Sequence, residues 1–224
     1  MKNAIQDTQK FYSDIAAIYD QRAGYAEPMD NELRELRRKI KIRHQRYLKG
    51  HAVLEIACGT GFWTEFIAKT AKSVMATDGS KKMISVAKNK LKKYKNVNCK
   101  LCDAYSLKNI RGPFTAVYAH WWWSHMLKSK IRRFLVNLHK KLVPGAFVFF
   151  GDHLPHYTNR KTRIIYNKDT DRIEVRKLKN GRKYYVIKNF LTKAEINRYL
   201  LGIARDIKFR KYKGYWELCY TVVK

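Results

Sequence analysis

The apolar and polar positions change period along the chain. Over residues 5–20, Ile5, Phe11, Ile15 and Ile18 recur at helical spacing and predict an amphipathic helix. Residues 32–48 predict a second, strongly basic helix. From residue 52 the pattern becomes an alternation. Short apolar runs at 52–57, 73–77, 97–102, 114–119 and 146–150 read as strands. Helical patterns fill the intervals, from Gly61 to residue 71 and over 81–94 and 130–142. Strand and helix in strict turn predict a parallel sheet covered on both faces. The four prolines, at 28, 113, 144 and 155, fall where elements are expected to stop.

Residues 155–188 break the alternation. They carry turn signals at Asn167-Lys168-Asp169 and Asn180-Gly181, and Lys179-Asn180-Gly181-Arg182 predicts a β-hairpin. Thr192-Lys193-Ala194-Glu195 is a capping box that opens a helix to about Leu201. Residues 207–212 and 216–223 read as a closing antiparallel pair. The expected fold is α/β, a doubly wound, mostly parallel sheet with an antiparallel terminal strand. An N-terminal helical lid and a β-hairpin insertion complete it.

Composition narrows the function classes. The chain has 224 residues, of which 46% are hydrophobic and 29% charged, so it is long enough for one α/β core and is not disordered throughout. Its 48 basic and 18 acidic residues make a net charge of +30. That excess raises RNA or ribosome binding as an alternative partner class. The charge is spread along the whole chain, however, and in 81–94 the lysines alternate with Met83, Ile84, Ala87, Leu91 and Tyr94 as a solvated outer face would. No apolar run is long enough for a transmembrane helix, and the N-terminus lacks a signal-peptide core, which predicts a cytoplasmic chain without membrane association. Cys58, Cys99, Cys102 and Cys219 are irregularly spaced and read as reduced thiols. Cys99 and Cys102 lie three apart on a predicted strand and point to opposite faces, so no metal site is expected.

The strongest chemical signal is Val53-Leu54-Glu55-Ile56-Ala57-Cys58-Gly59-Thr60-Gly61, an apolar strand ending in a Gly-x-Gly turn. Such a turn lets a ligand approach the backbone and aims helix N–H groups at it. Asp78 ends the next strand, 17 residues past Gly61, a position where a carboxylate accepts bonds from ribose hydroxyls. Asp103 ends the third strand. The third glycine of the dinucleotide fingerprint is missing, and bulky Trp63 stands nearby, which argues against NAD.

These stretches resemble the class I S-adenosylmethionine-dependent methyltransferases. Residues 54–61 resemble the family's first motif, Thr77-Asp78-Gly79-Ser80 with Met83 the second, Cys102-Asp103-Ala104 the adenine-contacting third, and Leu142-Val143-Pro144-Gly145-Ala146 the turn before the fifth strand. The resemblance covers about residues 9–154 and implies a Rossmann-like fold with S-adenosyl-L-methionine as cofactor. It implies that Gly59 and Gly61 face the methionine portion and that Glu55 orients that region. Asp78 would bind the ribose, Asp103 the adenine amino group with the Ala104 backbone beside it, and Met83 would pack against adenine. Read by themselves, Glu55 has the alternative of a structural hydrogen bond to the glycine turn, and Met83 that of ordinary core packing. Tyr12 and Tyr19 lie seven apart on one helical face, and in similar enzymes a tyrosine there helps close the cofactor site. One domain over 1–224 is expected: an N-terminal helical cap at 1–50, a cofactor-binding core at 51–154, an insertion forming a substrate wall at 155–190, and a C-terminal helix and hairpin at 191–224.

Candidate catalytic residues follow strands four and five: His120, His125 and Asp152. His125 is either a general base or a helix cap, and His120 and Asp152 are either substrate contacts or structural. Trp121, Trp122, Trp123, His153 and Arg160 are candidate substrate contacts, with at least one tryptophan reserved for the core. Lys161, Arg163, Arg172 and Arg176 either bind an acidic acceptor or are solvated. The expected function is methyl transfer to an O or N atom of a small molecule. The alternatives are an RNA or ribosome-associated methyltransferase and a non-catalytic cofactor binder.

Overall fold

The computed structural model describes residues 4–25, 31–155 and 162–223. Five of its β-strands, β1 (Ala52–Ile56), β2 (Ser73–Asp78), β3 (Val97–Leu101), β4 (Phe114–His120) and β5 (Leu142–His153), run parallel in one sheet. The sheet continues with β9 (Ala204–Lys211) and β10 (Tyr215–Val222) in the order β3-β2-β1-β4-β5-β10-β9. β10 runs antiparallel to both β5 and β9. The last strand of the chain is therefore inserted between β5 and β9, and β9 forms the sheet edge. Because the order reverses between β1 and β4, a crevice opens at the carboxyl ends of these strands, where open α/β sheets bind ligands.

Each face of the sheet carries its own apolar layer. On one side α3 (Asn31–Leu48), α4 (Thr64–Ile67) and α5 (Lys81–Leu91) bury Leu48, Ile67, Ile84 and Leu91 against Val53, Val74 and Phe149. On the other side α6 (Lys128–His139) and α7 (Lys193–Leu200) bury Ile131, Phe134, Ile196 and Leu200 against Leu54, Val117 and Val148. α5 begins at Ser80, whose hydroxyl accepts the Met83 N–H, and α7 begins at the Thr192–Glu195 capping box. Lys81, Lys82 and Lys88 lie on the exposed face of α5.

The structure alters several expected elements. The helix foreseen over 5–20 is broken into α1 (Ala4–Asp14), a 3₁₀ turn (Ala16–Ile18) and α2 (Tyr19–Arg22). The break lets Phe11 and Ile15 pack on the Tyr184 and Val186 side chains while Tyr19 turns toward the glycine turn. Only Thr64–Ile67 of the helix expected after Gly61 is α-helical. Pro144 does not end an element. It lies exposed inside β5 where the β4–β5 register slips between Phe114 and Ala116, a position that needs no ladder N–H.

The expected hairpin insertion is a separate three-stranded antiparallel sheet, β6 (Arg163–Tyr166), β7 (Arg172–Lys177) and β8 (Lys183–Ile187). The third strand arises because Asn167 closes a second turn by bonding Asp171 and the Asp169 N–H. α1 packs on β8. Tyr184 donates to Asp14, and the Ile187 N–H donates to the Thr8 hydroxyl. The N-terminal helix and the small sheet thus form one wall over the carboxyl edge of the large sheet. No helix among the described residues is long and apolar enough to cross a membrane.

Candidate active site

The crevice at the carboxyl edge gathers residues from the ends of β1, β2, β3 and β4. At the end of β1, the chain passes through Ala57 at φ 54° and Gly59 at φ 57°, left-handed conformations that turn it sharply toward α4. A Cβ on Gly59 would meet nothing nearer than the Tyr19 ring at 4.0 Å. The backbone there is open to the crevice. Gly61 has the same handedness, but its missing Cβ would come within 2.8 Å of Leu91 Cδ1. Gly61 is thus packed against α5 and is not among the residues that line the crevice.

Asp78 is the most constrained acid in the crevice. Its Oδ2 accepts the Gly59 N–H at 2.9 Å and its Oδ1 accepts the Ser80 N–H at 2.8 Å. Burial nevertheless raises its pKa to about 6. Each oxygen keeps a lone pair that neither N–H occupies. Glu55, one residue before the end of β1, is also buried in the crevice wall. It accepts the Thr64 hydroxyl at 2.7 Å, and desolvation pushes its pKa up to about 8, so its carboxyl is protonated at neutral pH. Asp103 sits exposed on the rim, accepting the Tyr105 and Ser106 N–H groups at 3.2 Å, with Ala104 beside it. Met83 is buried and lines the same crevice.

The N-terminal helices close one side. Tyr12, Tyr19 and Tyr25 all line the crevice, and their rings meet edge to face. Tyr25, absent from the expected set, stacks on Phe62 at 3.8 Å and accepts the Trp63 indole N–H at 3.1 Å. Asp20 accepts both the Thr60 hydroxyl and the Lys90 ammonium, which ties α2 to the glycine turn and to α5. The only sequence sign of this brace was the density of tyrosines over 12–25.

The far side is built around the ends of β4 and β5. Trp121 stands at φ 64°, a left-handed conformation costly for a bulky residue. That turn lays its indole flat on His153, with ring centroids 3.8 Å apart. Trp122 lines the crevice and packs on Phe134. Trp123 is not at the site. It is buried in the core against Phe150 and Trp216. His120 is buried among Trp63, Trp121 and His44 over Gly151, and among the described residues neither ring nitrogen has a hydrogen-bond partner. Desolvation, followed by the neighbouring His44 and His153, holds its pKa well below the usual imidazole range.

His125 is fixed at both nitrogens. Nδ1 donates to the Ile187 carbonyl at 2.6 Å, which leaves Nε2 to accept the Tyr12 hydroxyl at 2.8 Å. Burial, then Lys188 and Arg176, keep its pKa well below the usual range, so the ring is neutral. His125 therefore joins α1 to the small sheet through both of its ring nitrogens. Asp152 is wholly buried and does not line the crevice. It accepts the Ser124 N–H, the Ser124 hydroxyl and the His153 N–H, and pairs with Lys188 Nζ at 3.5 Å. The carboxylate thus holds the 3₁₀ turn Trp123–His125 through the Ser124 N–H. Arg160 and Lys161 lie outside the described residues.

A second cavity of about 720 Å³ adjoins the crevice, and Tyr12, Tyr19, Trp63, Trp121 and His125 border both. His153, Glu174, Arg176 and Lys188 line its deeper part. Of the cationic candidates on the insertion, Arg176 faces this cavity. Arg172 bonds Glu174 and the Lys188 carbonyl, and Arg163 is exposed on β6. Among the described residues, no group of three or more His, Cys, Asp or Glu side chains is placed to hold a metal ion.

Residues 53–145 match the family model of a methyltransferase domain. The ubiquinone biosynthesis O-methyltransferase of Coxiella burnetii strain Dugway 5J108-111 is 29% identical over 141 residues. That match spans 62% of this chain and 58% of the relative's length. Residues 53–145 are thus similar to a methyltransferase domain, and the chain has the Rossmann-like methyltransferase fold. Among solved structures, the DhpI–SAM–HEP complex superposes with a TM-score of 0.75 at 24% identity, covering 98% of both chains. The CcbJ methyltransferase of Streptomyces caelestis superposes with a TM-score of 0.71 at 16% identity, covering 97% of this chain and 99% of its own. At these identities both show a shared fold.

Proposed function

We propose that this chain transfers a methyl group from S-adenosylmethionine to an oxygen or nitrogen atom of a small-molecule acceptor. The observation that carries the reading is the Asp78 carboxylate. It is aimed into the crevice at the sheet's switch point, is locked by two backbone N–H groups, and stands beside an open glycine backbone. These residues fit the cofactor. Asp78 would accept the two ribose hydroxyls, Met83 and the Ala104 backbone would border the adenine, and Asp103 would accept its amino group. Gly59 and the protonated Glu55 would bound the methionine portion, and Tyr12 and Tyr19 would cover it. When bound, the cofactor supplies a methyl group already activated on a sulfonium.

The chain's own part is to exclude water and to orient the acceptor. The tyrosine lid and the Trp63–Trp121 walls do the first, and the adjoining cavity does the second. His120 is the one buried imidazole of the crevice with lone-pair capacity to spare. It would meet the acceptor or its departing proton. The reading favours a small acceptor because α1 and the small sheet border the cavity on one side. The test is calorimetric titration with S-adenosylhomocysteine, followed by a metabolite screen with radiolabelled cofactor. Binding together with transfer to a small acceptor is expected. Folded protein that fails to bind, or transfer confined to RNA or protein, would overturn the reading.

A further inference from the structure

The cavity beside the cofactor crevice is unusually one-signed. Arg22, Arg37, Arg176, Lys177, Lys188 and Lys213 border it, and Glu174 is the single carboxylate among its described lining residues. The rest of the wall is apolar or aromatic, including Phe11, Ile15, Ile40 and Trp121. A diffuse surface excess does not explain this charge, because its innermost members are largely out of solvent. The Lys188 side chain is 6% exposed and that of Arg176 is 24% exposed.

The inner groups do not neutralise one another. Arg172 and Arg176 bracket Glu174 at 2.7 and 2.8 Å, and Lys188 pairs with Asp152 at 3.5 Å. Among the described residues three cations thus face two carboxylates, leaving one positive charge on a mostly buried cluster. Such a charge is costly unless an anion meets it. Donor capacity is left over as well. Arg176 spends Nε and Nη2 on Glu174 and one Nη1 proton on the Tyr12 hydroxyl, which leaves two of its five N–H groups without an acceptor among the described residues. Lys188 Nζ donates to the Ser124 hydroxyl at 2.7 Å and faces Asp152, which leaves a third proton. Burial, followed by the positive charges of Lys188 and Arg176, holds the pKa values of His125 and His153 well below the usual imidazole range.

We propose that the acceptor carries an oxyanion, a carboxylate or a phosphate group, and that Arg176 and Lys188 bind it in this cavity. The apolar wall takes the remainder of the acceptor. The anion serves as the handle that sets the acceptor's register against the cofactor crevice. Arg176 supplies the planar fork suited to two oxygens, and Lys188 a point charge anchored from β8 toward the end of β5. The Tyr12 hydroxyl joins the handle to the lid, since it accepts from Arg176 and donates to His125. Filling the anion site and closing the lid over the cofactor therefore act on the same tyrosine. This assignment rests on the methyltransferase reading given above.

The test uses the full chain loaded with S-adenosylhomocysteine. Phenyl phosphate, benzoate and neutral benzyl alcohol are titrated calorimetrically as three probes, and the same probes are titrated into Arg176→Met. At least one of the two anions is expected to bind about tenfold or more tightly than the alcohol and to lose that preference in Arg176→Met. The stronger of the two identifies phosphate or carboxylate as the group recognised. Arg205→Gln, at an exposed residue on β9, lowers the net charge by the same amount and is expected to leave anion binding unchanged. Equal loss in Arg205→Gln, or no preference for either anion over the alcohol, would overturn the proposal. If Arg176→Met fails to fold by circular dichroism, Arg176→Lys keeps the charge and removes the fork, and undiminished anion binding by it would overturn the fork's role. The two readings fail separately. Protein that binds S-adenosylhomocysteine and methylates only neutral acceptors defeats the oxyanion site and leaves the methyltransferase standing. Protein that binds the anions and not S-adenosylhomocysteine does the reverse.

Discussion

The two halves of the crevice are made differently. The cofactor half uses the tips of β1, β2 and β3, and its key contacts join residues close in sequence: Gly59 to Asp78, Asp78 to Ser80, Asp103 to Tyr105. The acceptor half joins residues that are far apart. Tyr12 and His125 are separated by 113 positions, and Tyr12 and Arg176 by 164. The first half is a property of one strand-turn-helix repeat and its neighbours. The second exists only after the N-terminal helix, the large sheet and the small sheet have met. A conserved chemistry can therefore sit on one half of the crevice while the other half changes with little consequence for it.

The largest test of this contrast is Asp78→Ala. It removes the two proposed charge-assisted bonds to ribose and is expected to weaken S-adenosylhomocysteine binding by about a hundredfold or more in calorimetry. Circular dichroism should show the fold retained. Unchanged affinity would remove Asp78 from the cofactor site.

Asp152→Ala probes the other half, where the acid is structural. It strands Lys188 in the interior and is expected to cost about 3–5 kcal/mol of stability in urea unfolding. If stability is unchanged and only turnover is lost, Asp152 acts on the substrate after all.

The paired glycines sharpen the comparison within the cofactor half. Gly61→Ala drives a Cβ into Leu91 at a left-handed position and is expected to destabilise the protein by about 2–3 kcal/mol. Gly59→Ala has room for its Cβ, so its larger effect is expected on cofactor affinity, read by titrating both variants with S-adenosylhomocysteine. The reverse pattern would exchange their roles.

The smallest effect is that of pH. Asp78 titrates at about 6 in the free protein, and its ionised form is the better acceptor for ribose hydroxyls. As pH falls through 6 the carboxyl takes up a proton, and S-adenosylhomocysteine affinity should fall by up to about tenfold per pH unit below that value. Burial holds His120, His125 and His153 neutral well below the usual imidazole range. Anion binding in the adjoining cavity should therefore show no histidine step near pH 6.5. A histidine step there would mean that one of these rings is exposed to solvent in solution.

Much of the parallel sheet was legible because its strands and helices differ in period, and because each glycine turn and strand-terminal acid sits next to the apolar run that positions it. The positions of Asp78, Asp103, Met83 and Gly59 followed from that local order. Gly61 looked identical to Gly59 from the sequence. Only the approach of Leu91 from α5 separates a packing glycine from an open one. The three tryptophans likewise have one composition and three fates. The left-handed turn at Trp121 sends it over His153, while Trp123 is carried into the core. The third strand of the small sheet and the broken N-terminal helix were missed because both depend on long-range packing that a local period does not record.

The sequence by itself determined the α/β alternation and the sheet edge at which the crevice opens, since a strand ending in glycine followed by a capped helix leaves the backbone few alternatives. The tertiary structure alone decided which basic residues line the cavity beside the crevice. Lysine and arginine are everywhere in this chain, and their linear pattern cannot distinguish a solvated cation from one held beside an unneutralised pocket. Burial makes that distinction, because positive charge removed from water must find a partner, and where the fold supplies too few carboxylates the missing anion has to come from outside.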